Sequence, residues 1–452
     1  MKPTYHSAAD FGFDRHRISR AALDVVRGLQ DAGYNGYLVG GCVRDLLLGM
    51  QPKDFDVTTD ATPEEVRGIF RRARIIGRRF RLVHVRFGRE VIEVATYRAN
   101  PAAARETWLP WKKGRRRDAP RTTEEGRLLD DNVYGSMEDD ALRRDFTVNA
   151  LYYDPLKERI VDFLGGVGDI GARRLSLIGK PAERFAEDPV RMLRVLRFKA
   201  KLDLEPDRGL MKSVVRHRSL LAGVPSARLF DEVLKLFHHS HGVASWQELR
   251  TAGFAGILFP QTVAALDAPG GDTWETLVLK ALENTDRRTS RNKPVIPAFL
   301  YAVLLWRPFR IELEGMTEGR VGQNERIWRA GDRVFAEQCR QVSVPRRVSS
   351  QAIEIWQMQG NLELRRPRSI EPMLENRRFR AAYDFLVLRA AIGEVPEEVV
   401  AWWTRIQDQG PRDRQRLIQQ LPATAPGAGR KGRRRRPRRR SVARRVSGQG
   451  AG

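Results

Sequence analysis

Tyr37-Leu38-Val39-Gly40-Gly41-Cys42-Val43-Arg44-Asp45-Leu46-Leu47-Leu48-Gly49, followed by Lys53-Asp54-Phe55-Asp56-Val57, sets a glycine pair at the mouth of a helix and then two carboxylates with one residue between them. Tyr37 to Val39 reads as a short buried strand, Gly40 and Gly41 as a tight turn, and Cys42 to Leu48 as a helix. A glycine turn opening a helix leaves N–H groups aimed at one spot, which suits a phosphate chain. Arg44 in the first turn adds a guanidinium for the same anion. Asp54 and Asp56 bracket Phe55 in an expected strand, where residues two apart share a face. Two such carboxylates repel unless cations lie between them, and that arrangement suits a pair of Mg²⁺ ions and an in-line phosphoryl displacement.

The pattern extends in both directions. Residues 1–20 read as a flexible lead and 21–35 as a helix feeding the first strand. Thr62-Pro63-Glu64-Glu65 is a helix start with a capping residue, a first-turn proline and a capping box; the helix is expected to run to about Arg72. Two strands follow, near 81–87 and 90–97, joined by Gly88-Arg89. In the second, Ile92 and Val94 face one side and Val91, Glu93 and Ala95 the other. Glu93 is thus a charged residue in an apolar strand, either an exposed edge residue or a ligand. Residues 100–130 form an irregular basic insertion with Trp108, Trp111 and Lys112-Lys113-Gly114-Arg115-Arg116-Arg117, either a base-stacking platform or a plain surface loop. Beyond Val161 only Leu175–Ile178 reads as strand. The remainder has helical spacing, as in 227–238 and 395–406, and its seven tryptophans read mainly as core.

Gly-Gly-x-Val-Arg-Asp-Leu-Leu-Leu-Gly followed by Asp-Phe-Asp-Val resembles the signature of the polymerase-β-like nucleotidyltransferases, in the branch holding bacterial poly(A) polymerases and CCA-adding tRNA nucleotidyltransferases. The resemblance is specific over roughly residues 36–240 and weak beyond. It implies a third metal-binding carboxylate from a neighbouring strand, a place that Glu93 fits. Arg143-Arg144-Asp145-Phe146-Thr147-Val148-Asn149-Ala150 resembles another motif of the family, with Arg144 a nucleotide contact and Asp145 counted among the catalytic acids. Asp145 either touches metal or holds the arginines by salt bridges, and the second role is preferred because Glu93 already completes a triad.

Glu187-Asp188-Pro189-Val190-Arg191-Met192-Leu193-Arg194 opens a helix. Asp188 and Arg191 there form either a cap with an i,i+3 salt bridge or a pair that meets a base edge. A carboxylate accepts from adenine N6 and a guanidinium donates to N1. Guanine and uracil reverse that order, leaving buried groups unpaired at about 1–3 kcal/mol each. Cytosine shares adenine's order, so the pair does not separate A from C. The segment resembles the family's base-reading motif, and Arg194 lies one turn on, within reach of a triphosphate.

Ile75-Ile76-Gly77-Arg78-Arg79-Phe80-Arg81-Leu82-Val83-His84-Val85 resembles a stretch that marks the poly(A) polymerases, as do Leu128-Leu129-Asp130-Asp131-Asn132-Val133-Tyr134-Gly135-Ser136 and the arginine-rich tail. His84 reads either as a sheet residue or as a catalytic group. The resemblance implies AMP transfer from ATP to RNA 3′ ends, with CCA addition as the runner-up and a non-catalytic RNA-binding protein third.

The chain has 452 residues, 41% of them hydrophobic, enough for about three domains. No run approaches the ~20 apolar residues of a membrane span, and no secretory signal is apparent. Two cysteines, Cys42 and Cys339, and seven scattered histidines exclude a disulfide framework and zinc spacing and point to a cytoplasmic protein. A net charge of +25 points to a polyanionic partner. From Arg430 to Arg445 there are eleven basic residues and no acidic one. Arg433, Arg434, Arg435, Arg436, Arg438, Arg439 and Arg440 make this either a solubility tail or an electrostatic arm for RNA. The expected architecture is α+β: a small mixed-sheet nucleotidyltransferase head (21–165), a helical neck that reads the base (166–245), a helical RNA-binding body (246–422) and a disordered basic tail (423–452). Partner proteins would be RNA-decay factors, which the residues do not identify.

Overall fold

The computed structural model describes residues 1–77, 81–99, 133–316 and 322–421. Its head is built on eight strands: β1 (Thr4–Ser7), β2 (Tyr37–Val39), β3 (Asp56–Thr59), β4 (Ala73–Ile76), β5 (Leu82–Phe87), β6 (Glu90–Thr96), β7 (Leu151–Asp154) and β8 (Arg159–Asp162). They lie in the order β1-β8-β7-β2-β3-β6-β5-β4, with β3 and β6 parallel and the other neighbours antiparallel.

Alternation along the strands makes two different faces. Leu38, Val57, Val83 and Val94 point into the main core, which α1 (Arg20–Asp31) and α3 (Pro63–Ile69) cover. Thr62 caps α3 with Glu65 in the expected capping box, which satisfies the first-turn N–H groups. On the opposite face Tyr37, Val39, Tyr97, Tyr152 and Val161 form a second cluster with Ala141, which belongs to α4 (Met137–Arg143). α2 (Gly41–Leu47) follows β2 as expected.

Neither β7 and β8 nor the two edge strands were apparent in the sequence. Residues 4–7, read as part of a flexible lead, pair with β8 at one edge of the sheet. At the other edge α3 stops at Ile69, short of the expected Arg72, and β4 follows at Ala73 and pairs with β5. Both are four-residue edge strands, β1 held by a partner distant in sequence and β4 by the strand that follows it.

The chain then turns helical: α5 (Gly166–Gly171), α6 (Pro181–Glu187), α7 (Val190–Leu202), α8 (Arg208–His217) and α9 (Ser226–Phe237). A two-residue parallel ladder joins β9 (Arg174–Leu175) to β10 (Glu205–Pro206). Longer helices follow, including Gly271–Thr289, Arg346–Leu364 and Glu397–Gln407. The tryptophans do serve as core. Trp246, Trp356 and Trp403 are fully buried, and Trp356 stacks on Phe309 with ring centroids 4.3 Å apart. No helix among the described residues is long and apolar enough to cross a membrane. Both cysteines are free.

Candidate active site

Strand register places one row of side chains across the open part of the sheet. Val39 lies opposite Asp56, Asp56 opposite Glu93, Glu93 opposite His84, and His84 opposite Arg74. Register partners share a face, so Asp56 and Glu93 stand side by side. The apolar cluster on this face takes in Val39 and Tyr97; beside it both carboxylates reach solvent, Asp56 from a position the protein crowds. His84 Nε2 lies 3.2 Å from Glu93 Oε1, so its visible role is a contact to that acid. Asp54 differs from the expectation. It precedes the strand, which begins only at Asp56, so the two aspartates do not share a strand face.

Electrostatics mark the acids as a site. Desolvation by the surrounding protein, then the neighbouring Glu93, push the Asp56 carboxyl up to about 6; Arg144 opposes the rise and Asp54 adds to it. Adjacent carboxylates, one raising the other's pKa, fit a divalent cation. Among the described residues, however, no three Asp, Glu, His or Cys side chains converge as a finished cage. Asp54 lies on the loop before β3, within electrostatic reach of Asp56.

The glycine turn lies beside this row. Gly40 has φ +77°, a conformation that favours glycine, and a Cβ there would come within 3.2 Å of Arg144 Nη1. A Cβ on Gly41 would lie 3.6 Å from Arg44 Nη2. Two guanidiniums thus flank the turn. Both are held from behind. Arg44 is buried, with Nε 2.8 Å from Asp45 Oδ1 and Nη1 2.6 Å from Asn149 Oδ1. Arg144 donates through Nη2 to Asp140 Oδ2 at 2.9 Å and through Nη1 to the Asn149 carbonyl at 3.3 Å. Burial works against the Arg144 charge, but Asp140 outweighs it and raises the pKa.

Towards α7, Asp145 is fully engaged. Its carboxylate accepts from Arg194 Nε at 2.6 Å, from Asn149 Nδ2 at 3.0 Å and from the Phe146 N–H at 2.9 Å. Burial would raise this carboxyl, yet Arg194 beside it, with these hydrogen bonds, holds it below the usual range. Arg194 points at Asp145. Asp188 and Arg191 do not form the i,i+3 salt bridge that their spacing permits. Asp188 accepts from the Val190 N–H at 3.3 Å and from Arg228 Nη2 at 2.8 Å. Arg191 Nη1 donates to Glu187 Oε2 at 2.9 Å and to the Arg184 carbonyl at 2.8 Å.

Arg184 and Arg228 escaped the sequence reading. Arg184 donates to the carbonyls of Arg143 and Arg144 and so ties α6 to the end of α4. It lies before the expected helix start, in a separate helix that was not apparent in the sequence. Arg228 is 40 residues from Asp188, and no local spacing could have paired them. Residues 78–80, 100–132 and the arginines at 433–436 and 438–440 lie outside the described residues, as do the insertion and the tail.

A glycine turn between two guanidiniums, set against paired strand carboxylates and a helical neck, defines a nucleotidyltransferase head. Residues 36–176 match the family described as the poly A polymerase head domain, 203–266 the probable RNA- and SrmB-binding site of polymerase A, and 321–440 the polymerase A arginine-rich C-terminus. The chain is 42% identical over 418 residues to Poly(A) polymerase I of Haemophilus influenzae, covering 91% of this chain and 90% of that one. It is 39% identical over 410 residues to Poly(A) polymerase I of Salmonella typhimurium, covering 90% and 86%. It belongs to the bacterial poly(A) polymerase family. The CCA-adding enzyme of Bacillus licheniformis is more distant, 32% identical over 62% of this chain and 64% of its own length. The solved CCA-adding enzyme of Thermotoga maritima in complex with tRNA shares the fold, with a TM-score of 0.57 at 17% identity over 90% of this chain and 87% of that one.

Proposed function

We infer that the protein is a template-independent RNA adenylyltransferase that transfers AMP from ATP to an RNA 3′-hydroxyl and releases pyrophosphate. Family membership over nine-tenths of the chain carries this reading, and the site's chemistry agrees with it. In the mechanism we propose, the turn at Gly40 and Gly41 receives the polyphosphate, with Arg144 on one side and Arg44 on the other. Asp140, Asp45 and Asn149 hold these guanidiniums so that little reorganisation is needed when the anion arrives. Asp54, Asp56 and Glu93 would hold Mg²⁺, which when bound supplies Lewis-acid activation of the hydroxyl and charge neutralisation at the leaving group. Asp145 positions Arg194 for the triphosphate.

Asp188 and Arg191 read the adenine edge at the start of α7. Each is oriented by a partner of opposite charge, Arg228 for Asp188 and Glu187 for Arg191. Residues 166–245 act as the neck, 246–422 as an RNA-binding body, and the arginine-rich tail as an arm along the RNA. Residues 203–266, matched by a family whose description names both RNA and SrmB, are where an RNA-decay partner would dock. A cytoplasmic location suits these substrates. The reaction type is tested with RNA and ATP labelled at the α-phosphate. Label entering RNA with one pyrophosphate released per addition is expected; release of inorganic phosphate without RNA labelling contradicts it.

A further inference from the structure

Three guanidiniums gather on the ring of Phe198 in α7, at 5.1 Å for Arg44, 5.4 Å for Arg194 and 4.8 Å for Arg197. Arg44 is answered by Asp45 and Arg194 by Asp145. Arg197 is not answered in this way. Its buried Nε has no hydrogen-bond partner among the described residues; Glu232 nearby meets Lys235 through Oε1 at 2.8 Å and forms no hydrogen bond to Arg197 through Oε2. One turn along the same helix, Lys201 Nζ is 3.9 Å from Asp45 Oδ2, a carboxylate that already serves Arg44. From the head, Lys53 reaches across to the loop after α9 and lies 3.4 Å from His239 Nδ1.

The imidazoles add no negative charge. His239 and His241 stack with ring centroids 6.4 Å apart. Burial pushes both down to about 4, helped by Lys53, Lys201 and Arg197 at His239 and by Arg197 and Lys201 at His241. Burial and then Arg194 lower Arg197 to about 10. Head and neck therefore bring together Lys53, Arg197 and Lys201 with too few carboxylates to match them. Such a cluster is stabilised by an anion from outside.

We propose that Lys53 of the head and Arg197 and Lys201 of α7 form a site for a backbone phosphate of the RNA strand whose 3′ end is being extended. The proposal rests on the RNA-extension reading above. An in-line displacement puts the incoming hydroxyl opposite the leaving pyrophosphate. With the pyrophosphate at the glycine turn, the RNA strand must approach the carboxylates from another side. Lys53 immediately precedes Asp54, so a phosphate on this cluster would bring its strand next to the acids. His239 is a positioning residue that holds Lys53 through a neutral imidazole nitrogen.

Affinity for oligo(A) is measured without ATP or metal at several salt concentrations, together with KM for RNA and for ATP. Lys201→Ala should make the log K against log salt slope shallower by about 0.7, the value of one single-strand phosphate contact. It should raise KM for RNA severalfold and leave KM for ATP alone. Lys201→Arg should restore the slope, and Arg197→Lys keeps the second position testable if larger changes there unfold the neck. An unchanged slope overturns the proposal, as does a rise in KM for ATP with RNA binding intact, which would give the cluster to the triphosphate. Wild-type protein that binds oligo(A) with the expected slope yet adds no AMP would remove the polymerase reading and leave the phosphate site standing.

Discussion

At the scale of single residues the site turns on Asp56. Its carboxyl is raised to about 6 by desolvation and then by Glu93, which has opposite consequences for activity and stability. In the proposed role of Asp56 as a metal ligand, activity needs the ionised form, so transfer at limiting divalent ion should fall as pH drops through about 6. Stability runs the other way. A carboxyl whose pKa is higher folded than unfolded binds its proton more tightly in the folded state, so its contribution becomes less favourable as pH rises from about 4 to 6. Asp56→Asn should therefore lose more than tenfold in kcat, over about 1.4 kcal/mol of barrier, with a Tm at pH 7 no lower than wild type. A kcat within tenfold of wild type would remove Asp56 from the chemistry. Glu93→Gln removes the neighbouring charge and should lower the Asp56 midpoint in an NMR titration; an unmoved midpoint would mean that their adjacency does not matter electrostatically.

At the scale of elements, the parts legible in the sequence were those specified locally. The β2–glycine–α2 unit, the capped α3 and the β5–β6 hairpin each carry their own turn or cap chemistry within a few residues. β1 and β4 do not. Thr4–Ser7 is held by β8 across more than 150 residues of chain, and Ala73–Ile76 follows a helix whose polar pattern gives no stop signal. The side-chain pairings divide the same way. Glu93 could be assigned to a face from strand alternation, whereas the Asp188–Arg228 contact needed α7 and α9 in place. Arg191 at the first turn of α7 should matter for nucleotide choice more than for RNA affinity. Arg191→Ala should raise GTP and UTP incorporation relative to ATP, measured as ratios of kcat/KM. Unchanged ratios with a lower Tm would reduce it to a link between α6 and α7 through Glu187.

At the scale of the whole molecule, a head with the acids is joined to helices that supply cations, and the basic C-terminal run adds more charge. The aromatic core around Trp356 was foreseeable from tryptophans at helical spacing, because large rings need burial. Deleting residues from Arg430 onward removes eleven positive charges within sixteen residues. It should flatten the salt dependence of RNA affinity while turnover at saturating RNA stays near wild type. Identical slopes would assign the tail to solubility or partner docking. The central claim is nucleotide choice on a free RNA end. Purified protein is incubated with Mg²⁺, a generic RNA and each nucleoside triphosphate separately, and the products are sized. Long tails from ATP alone are the expected result; addition that stops after C, C and A on a truncated tRNA, or no addition from any nucleotide, would contradict it.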